Sequence, residues 1–143
     1  MKRGLALIEI LLVVGILAVL VTLTLPLTLD FYKSQQLNIH TQGVIQALRR
    51  AQLKAMSVEN SSIFGVYLVD DNYTLFKGSS YATRDVQYDA VSDLPQIINI
   101  SGLSEIVFSK FEGIPSATGT IILSNNGDSQ TISINEIGRI NLE

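Results

Sequence analysis

Between Ile10 and Leu29 the chain runs for 20 residues without a charge, "ILLVVGILAVLVTLTLPLTL". A helix needs ~20 predominantly apolar residues to cross the hydrocarbon core of a bilayer, so the run is read as transmembrane. A cleaved secretory signal would have an apolar core of only about 7 to 15 residues followed by a small-x-small exit, and none follows Ala18. The segment is therefore expected to stay on the mature chain. Lys2 and Arg3 precede it and the next basic residue is Lys33. The positive flank should face the cytoplasm and the remainder should be exported across the cytoplasmic (inner) membrane, giving a single-pass, N-in topology.

Helical periodicity continues past the apolar run. After Asp30, the residues Leu37, Thr41, Val44, Leu48, Ala51 and Ala55 recur at alternating steps of three and four, with Gln, Arg and Lys between them. This pattern predicts an amphipathic continuation of the same helix to about Ser57. Gly15 and Pro26 interrupt it, and a bend or local melting is expected near residues 22–26, because proline lacks an N–H and clashes with the preceding turn.

From Glu59 the period changes to that of strands. "SIFGVYLV" and "YTLF" flank Asp70 to Asn72 and predict a hairpin, followed by an irregular polar loop from Lys77 to Leu94 with one short strand at Val86–Tyr88. Five more strand candidates follow: "QIINIS", "EIVFSK", "TIILS", "QTISIN" and "RINL". "NNGD" predicts a two-residue hairpin turn through an Asn-Gly that tolerates positive φ, and "EIG" before Arg139 closes another. The expected class is α+β: a long N-terminal helix, transmembrane and then amphipathic, packed on one face of a small antiparallel sheet. The segments are 1–4, 5–29 in the membrane, 30–58 as the amphipathic helix, and 59–143 as the sheet domain.

Composition excludes several classes of function. Beyond Leu29 eight Lys and Arg face twelve Asp and Glu, a balance that disfavours nucleic acid, since phosphate neutralisation needs clustered cations. There is no cysteine, which removes thiolate metal sites and Cys nucleophiles, and with the single His40 a zinc site would need several carboxylates. No Gly-rich phosphate loop, nucleophile elbow or His-based dyad can be assembled, so no enzymatic activity and no cofactor are expected.

One residue stands out against the apolar segment. Glu9 immediately precedes the charge-free run, with Leu5 to Ile8 apolar on its other side, and a carboxylate in a membrane helix costs about 2.5 to 3.5 kcal/mol at the bilayer centre, less toward the interface. It either snorkels to the cytoplasmic interface or meets a cation. If the chain were cut before Leu5, the new α-amino group would lie four residues from Glu9 on the same helical face. In an assembly, the amine of a neighbouring chain could serve instead.

"RGLALIEILLVVGILAVL" resembles the class III signal of type IV pilins and pseudopilins, a short basic leader ending in Gly and then an apolar helix with Glu at its fifth position. The resemblance implies that residues 1–4 are a leader, that a prepilin peptidase cleaves between Gly4 and Leu5 and methylates the Leu5 amine, and that Glu9 serves subunit assembly. Pro26 matches the helix-melting proline of the family. The sequence departs from the family in having Leu5 and Ala6 where Phe and Thr are preferred. "LRRAQLKAMSVENSSIFGVYLVDDNYTLF", "FSKFEGIPSATGTIIL" and "ISINEIGRINL" look like the minor pseudopilins grouped with type II secretion protein H and FimT. The implied role is a structural subunit of a type IV pilus-like or type II secretion filament with a pilin fold. Its partners would be the prepilin peptidase, other pilin or pseudopilin subunits, and an inner-membrane assembly platform. Alternatives are a major type IV pilin and a DNA-binding minor pilin for DNA uptake.

Two sharper features are weighed against plain surface roles. Some FimT-like DNA receptors carry a C-terminal Gly-Arg followed by a further basic residue. Here Gly138 and Arg139 match but Asn141 stands at the second basic position, so Arg139 is read as a hairpin residue. Asp85, Asp89 and Asp93 could offer hard oxygen ligands to calcium from a flexible loop, but they lack EF-hand spacing, and solvated loop carboxylates are the commoner outcome. Arg49, Arg50 and Lys54 are read as a solvated helix face or an inter-subunit contact.

Overall fold

The computed structural model describes residues 2–57 and 62–143, with the side chains of 2–5 and 23–30 outside the description. The expected boundary between helix and sheet domain, at 58 and 59, lies outside the described residues. One helix, α1, covers Lys2–Met56, and eight strands follow. The chain divides into two compact units, Met1–Gln35 and Gln36–Glu143.

The described residues of the first unit, 2–35, are helical throughout. The helix is continuous through 22–26, where Pro26 led to the expectation of a bend or local melting. A proline deletes one backbone bond, and the turns on both sides, already nucleated within a 55-residue helix, carry the geometry across it. Thr22 lies one turn before the proline, and its hydroxyl donates to the Val19 carbonyl at 2.8 Å.

The second unit holds the rest of α1 and two four-stranded antiparallel sheets, where a single sheet was expected. The strands are β1 (Phe64–Val69), β2 (Asn72–Lys77), β3 (Ala90–Asp93), β4 (Asn99–Gly102), β5 (Glu105–Phe108), β6 (Gly119–Ser124), β7 (Ser129–Ile134) and β8 (Ile140–Leu142). The first sheet has the order β3-β2-β1-β5 and the second β4-β6-β7-β8. Strands adjacent in sequence do not all pair: β4 leads into the second sheet and β5 returns to the first. Hydrophobic alternation predicts strands one at a time and carries no information about this exchange.

The 3.6-residue stripe explains the core. Leu37, Val44, Ile45, Leu48, Ala51 and Ala55 are buried in one cluster with Phe64, Val66, Leu68, Ile106 and Phe108 of the first sheet and Ile121, Leu123, Ile132 and Ile134 of the second. Thr41, on the same face, is fully buried and satisfies its hydroxyl on the Leu37 carbonyl at 2.8 Å. On β6 and β7 the inward residues alternate with exposed or half-buried ones, and Ile121 sits directly opposite Ile132. Pairs of this kind fix register, since a one-residue slip would turn both isoleucines to solvent.

Gln52 ties the end of the helix to both later turns. Its Nε2 donates to the Gly113 carbonyl at 3.0 Å and to the Gly138 carbonyl at 2.9 Å. Gly138 has φ of 78°, and a Cβ there would lie 2.5 Å from Gln52 Nε2, so the turn before Arg139 requires glycine for both conformation and space. The Phe111 N–H, in the loop after β5, donates to the Ala55 carbonyl at 3.3 Å and so satisfies one of the helix's terminal acceptors.

Three local expectations are corrected. Val86–Tyr88 is a 3-10 turn, and the strand lies later, at Ala90–Asp93, paired with β2 from Leu75↔Ala90 to Asn72↔Asp93. The Asp85 carboxylate accepts from the Gln87 N–H and so favours a turn where three residues of strand-like type suggested extension. The turn at "NNGD" is a four-residue loop between Ser124 and Ser129, not a two-residue one. Gly127 does not use positive φ; the Asn125 carboxamide oxygen accepts from the Gly127 and Asp128 N–H groups instead. At the first hairpin the two-residue tip is Asp70–Asp71, and Asn72 is already in β2, opposite Val69.

The polar loop after β2 is a built cover for the outer face of the first sheet. Tyr81 stacks on Tyr67 with ring centroids 3.9 Å apart and meets Phe76 edge-on at 5.7 Å. Its N–H donates to Glu105 Oε1 at 2.9 Å. Arg84 lies over the Tyr81 ring at 3.7 Å, donates from Nη1 to the Tyr81 carbonyl, and pairs through Nε with Asp89 Oδ2 at 2.8 Å. Phe76 is thereby fully buried although it faces away from α1's core.

Replacing Gln52 by Ala leaves two carbonyls without their donor and is expected to lower unfolding free energy by about 1–3 kcal/mol in urea titrations, with the m-value unchanged. Arg84→Met is expected to speed amide exchange across residues 81–89 while leaving exchange in β6 and β7 unchanged, because the side chain holds the cover and does not touch the core.

Candidate functional site

The first unit presents a surface that a soluble chain normally hides. From Leu7 to Val21 twelve Leu, Ile and Val side chains are each 49–70% exposed. Interrupted only by Glu9, Gly15 and Ala18, they cover the whole circumference of the helix, with no polar stripe. Exposed apolar area of this extent marks a membrane or protein contact. At about half of the ~1.5–3 kcal/mol gained by fully burying such a side chain, covering the twelve would contribute on the order of 10 kcal/mol. The insertion cost of one carboxylate, about 2.5–3.5 kcal/mol, is smaller, so the helix is driven to be covered even with Glu9 in it.

Glu9 is exposed and has no ion-pair partner among the described residues. Gly4 and Leu5 lie in the first turns of α1, which places Leu5 and Glu9 one helical turn apart in sequence position. The side chains of Leu5 and Pro26 fall outside the description, so the contacts expected of them do too. Among the described residues no helix is long and apolar enough to cross a membrane. The apolar side chains that are described stop at Thr22, and the remainder of the charge-free run, 23–29, lies outside them.

The other candidates sit in the second unit. Asp85, Asp89 and Asp93 do not converge on a calcium site: Asp89 is occupied by Arg84, Asp85 caps the 3-10 turn and faces Lys77 at 4.0 Å, and Asp93 ends β3. Among the described residues no three His, Asp or Glu side chains are placed to share a metal. The hydrogen bond that Arg84 donates to Asp89 raises the Arg84 pKa above its already high usual value, so the guanidinium keeps its charge. Arg139 is exposed in the turn before β8, with its N–H held by Asn135 Oδ1. Arg49 and Arg50 are exposed on α1; Arg49 reaches the Ile140 carbonyl at 3.4 Å, and Lys54 lies 5.2 Å from the centre of the Phe64 ring. His40 is half-buried on the same helix.

Sequence reasoning did not find a notch between α1 and the edge of the first sheet. It has a volume of about 150 Å³ and is lined by Gln46 and Arg50 of the helix, Tyr73 of β2 and Ser92 of β3. It could not be found because β3 had been placed four residues too early. Comparison of the chain with known protein families, characterised proteins and solved structures finds no match.

Proposed function

We propose that the chain is a structural subunit, a minor pseudopilin or pilin, of a type IV pilus-like or type II secretion filament. The observation that carries this reading is the exposed, all-round apolar stretch of helix from Leu7 to Val21 with a single carboxylate near its start, on a chain whose second unit closes its own core. On this reading the precursor is held in the inner membrane by residues 5–29, and the second unit is the exported head of a pilin fold. Prepilin peptidase removes residues 1–4 and methylates the Leu5 amine. Parallel helices then leave the lipid together at an inner-membrane assembly platform, and Glu9 of one subunit meets the Leu5 amine of another. The apolar surface that lipid covers in the precursor is covered by neighbouring helices in the filament. The chain is a substrate of the peptidase, performs no catalysis and takes no cofactor.

The pairing follows from the magnitudes. A lone carboxylate is tolerable in an isolated anchor but disfavours each transfer deeper into apolar surroundings. A charge-assisted bond to an ammonium removes that penalty and fixes the axial register of two otherwise featureless apolar helices.

Intact-mass measurement of the mature protein from a host with the peptidase is expected to show loss of the four residues before Leu5 and gain of one methyl group. An uncut chain would refute the processing route. Glu9→Val is expected to leave membrane insertion and cleavage unchanged while lowering recovery in sheared filaments by about tenfold or more, the factor that corresponds to ~1.4 kcal/mol. Normal incorporation of that variant would overturn the pairing.

A further inference from the structure

The notch beside α1 has the makings of a small-anion site, and its construction can be followed residue by residue. Tyr73 and Ser92 are direct cross-strand partners, as are Leu75 and Ala90, so all four side chains share the helix-facing side of the β2–β3 corner. Gln46 and Arg50 are four residues apart on α1 and lie on one helical face above that corner. The gap between helix and sheet exists because the remaining residues are small. Gly43, Ala47 and Ala90 leave the volume open, and a Cβ at Gly43 would lie 2.8 Å from Tyr73 Oη.

The chemistry of the lining is one-sided. Arg50 supplies the only full charge, and the Gln46 carboxamide and the Tyr73 and Ser92 hydroxyls supply neutral donors. No carboxylate lines the notch, and no hydrogen bond within the described residues engages these four side chains. The floor of Ala47, Leu75 and Ala90 is apolar. We infer that the notch binds a carboxylate carried on a short aliphatic stem, either a free small acid or the side chain of an acidic residue in a partner chain.

A planar guanidinium matches a carboxylate with two parallel N–H···O bonds, and the hydroxyls can donate to the remaining lone pairs. One positive charge balances a monoanion and leaves a phosphate dianion half-compensated. The apolar floor takes the methylenes that a glutamate side chain or a short carboxylic acid would bring. Every residue of this site belongs to the second unit, so it can be tested apart from Glu9.

The test uses the full chain in zwitterionic detergent micelles, with NMR detection of the Arg50 Nε–H and the Ser92 amide. Acetyl-Gly-Glu-Gly-amide and sodium acetate are the probes, and the Gln counterpart of the peptide is the control. Saturable shifts with the Glu peptide or acetate, and none with the Gln peptide, are expected. Arg50→Gln, at an exposed position, should weaken binding about tenfold or more, as loss of a charge-assisted bidentate pair does. Gly43→Ala should do the same by pushing Tyr73 across the opening, and Ser92→Ala supplies a milder variant whose fold is secure. Acetate saturating at concentrations no higher than the peptide assigns a free acid; saturation by the peptide alone assigns a partner's side chain. Equal shifts with the Gln peptide, or binding undiminished in Arg50→Gln, would overturn the assignment.

Discussion

No strand pairs the two sheets with each other among the described residues, so the apolar face of α1 is the wall they have in common. Leu48 and Val44 are fully buried in the one cluster that also holds strand residues of both sheets, and Ala51 and Ala55 are the small members near the end of the helix. Gln52 adds direction to this packing, since its two bonds to Gly113 and Gly138 reach the loops that follow β5 and β7. The helix therefore specifies which turns of the two sheets lie beside one another.

The same continuous helix solves its burial problem in two different ways. From residue 36 onward its apolar residues are spaced so that one face is covered from within the chain. From Leu7 to Val21 they are spread around the whole helix, and a surface apolar on all sides cannot be covered by anything lying along one side. Its cover must surround it, as lipid does or as a ring of neighbouring helices does. That geometric difference, more than hydrophobicity as such, separates the two units.

Much of the fold was readable in the sequence because it rests on local periodicity. The stripe from Leu37 to Ala55 and the strand pairs around Asp70–Asp71 and after Ser124 each announce themselves within about a dozen residues. What escaped was decided by partners far away in sequence. Phe76 looked like one more apolar strand residue, yet its burial depends on Tyr81, whose position depends on Glu105 and Arg84. A loop rich in Ser, Asp and Tyr reads as solvated when each residue is taken singly; the stack of Tyr67, Tyr81 and Arg84 makes it a lid. The same stack displaced the expected strand at Val86–Tyr88, since a chain held by Asp85 and Asp89 has to turn before it can extend. Of the candidate residues, Glu9 was visible because it breaks a uniform run, while Gln46, Arg50, Tyr73 and Ser92 break nothing.

Each unit thus carries a charge that the described chain leaves unmatched: a carboxylate at Glu9 and a guanidinium at Arg50. The two differ in the solvent that sets their strength. Around Glu9 the neighbouring side chains are aliphatic, so an ion pair there gains from low dielectric and suffers from desolvation in nearly equal measure, and its main effect is to select register. Around Arg50 there is water, so charge alone contributes little and selectivity must come from the fork of donors and the fit of the floor. A chain with thirteen acidic and ten basic side chains has carboxylates to spare at its surface, and a shaped, uncompensated arginine is then the rarer partner. Specific contact with another acidic chain would accordingly be decided at the notch, by shape, and not by net charge, which for two copies of this protein is repulsive.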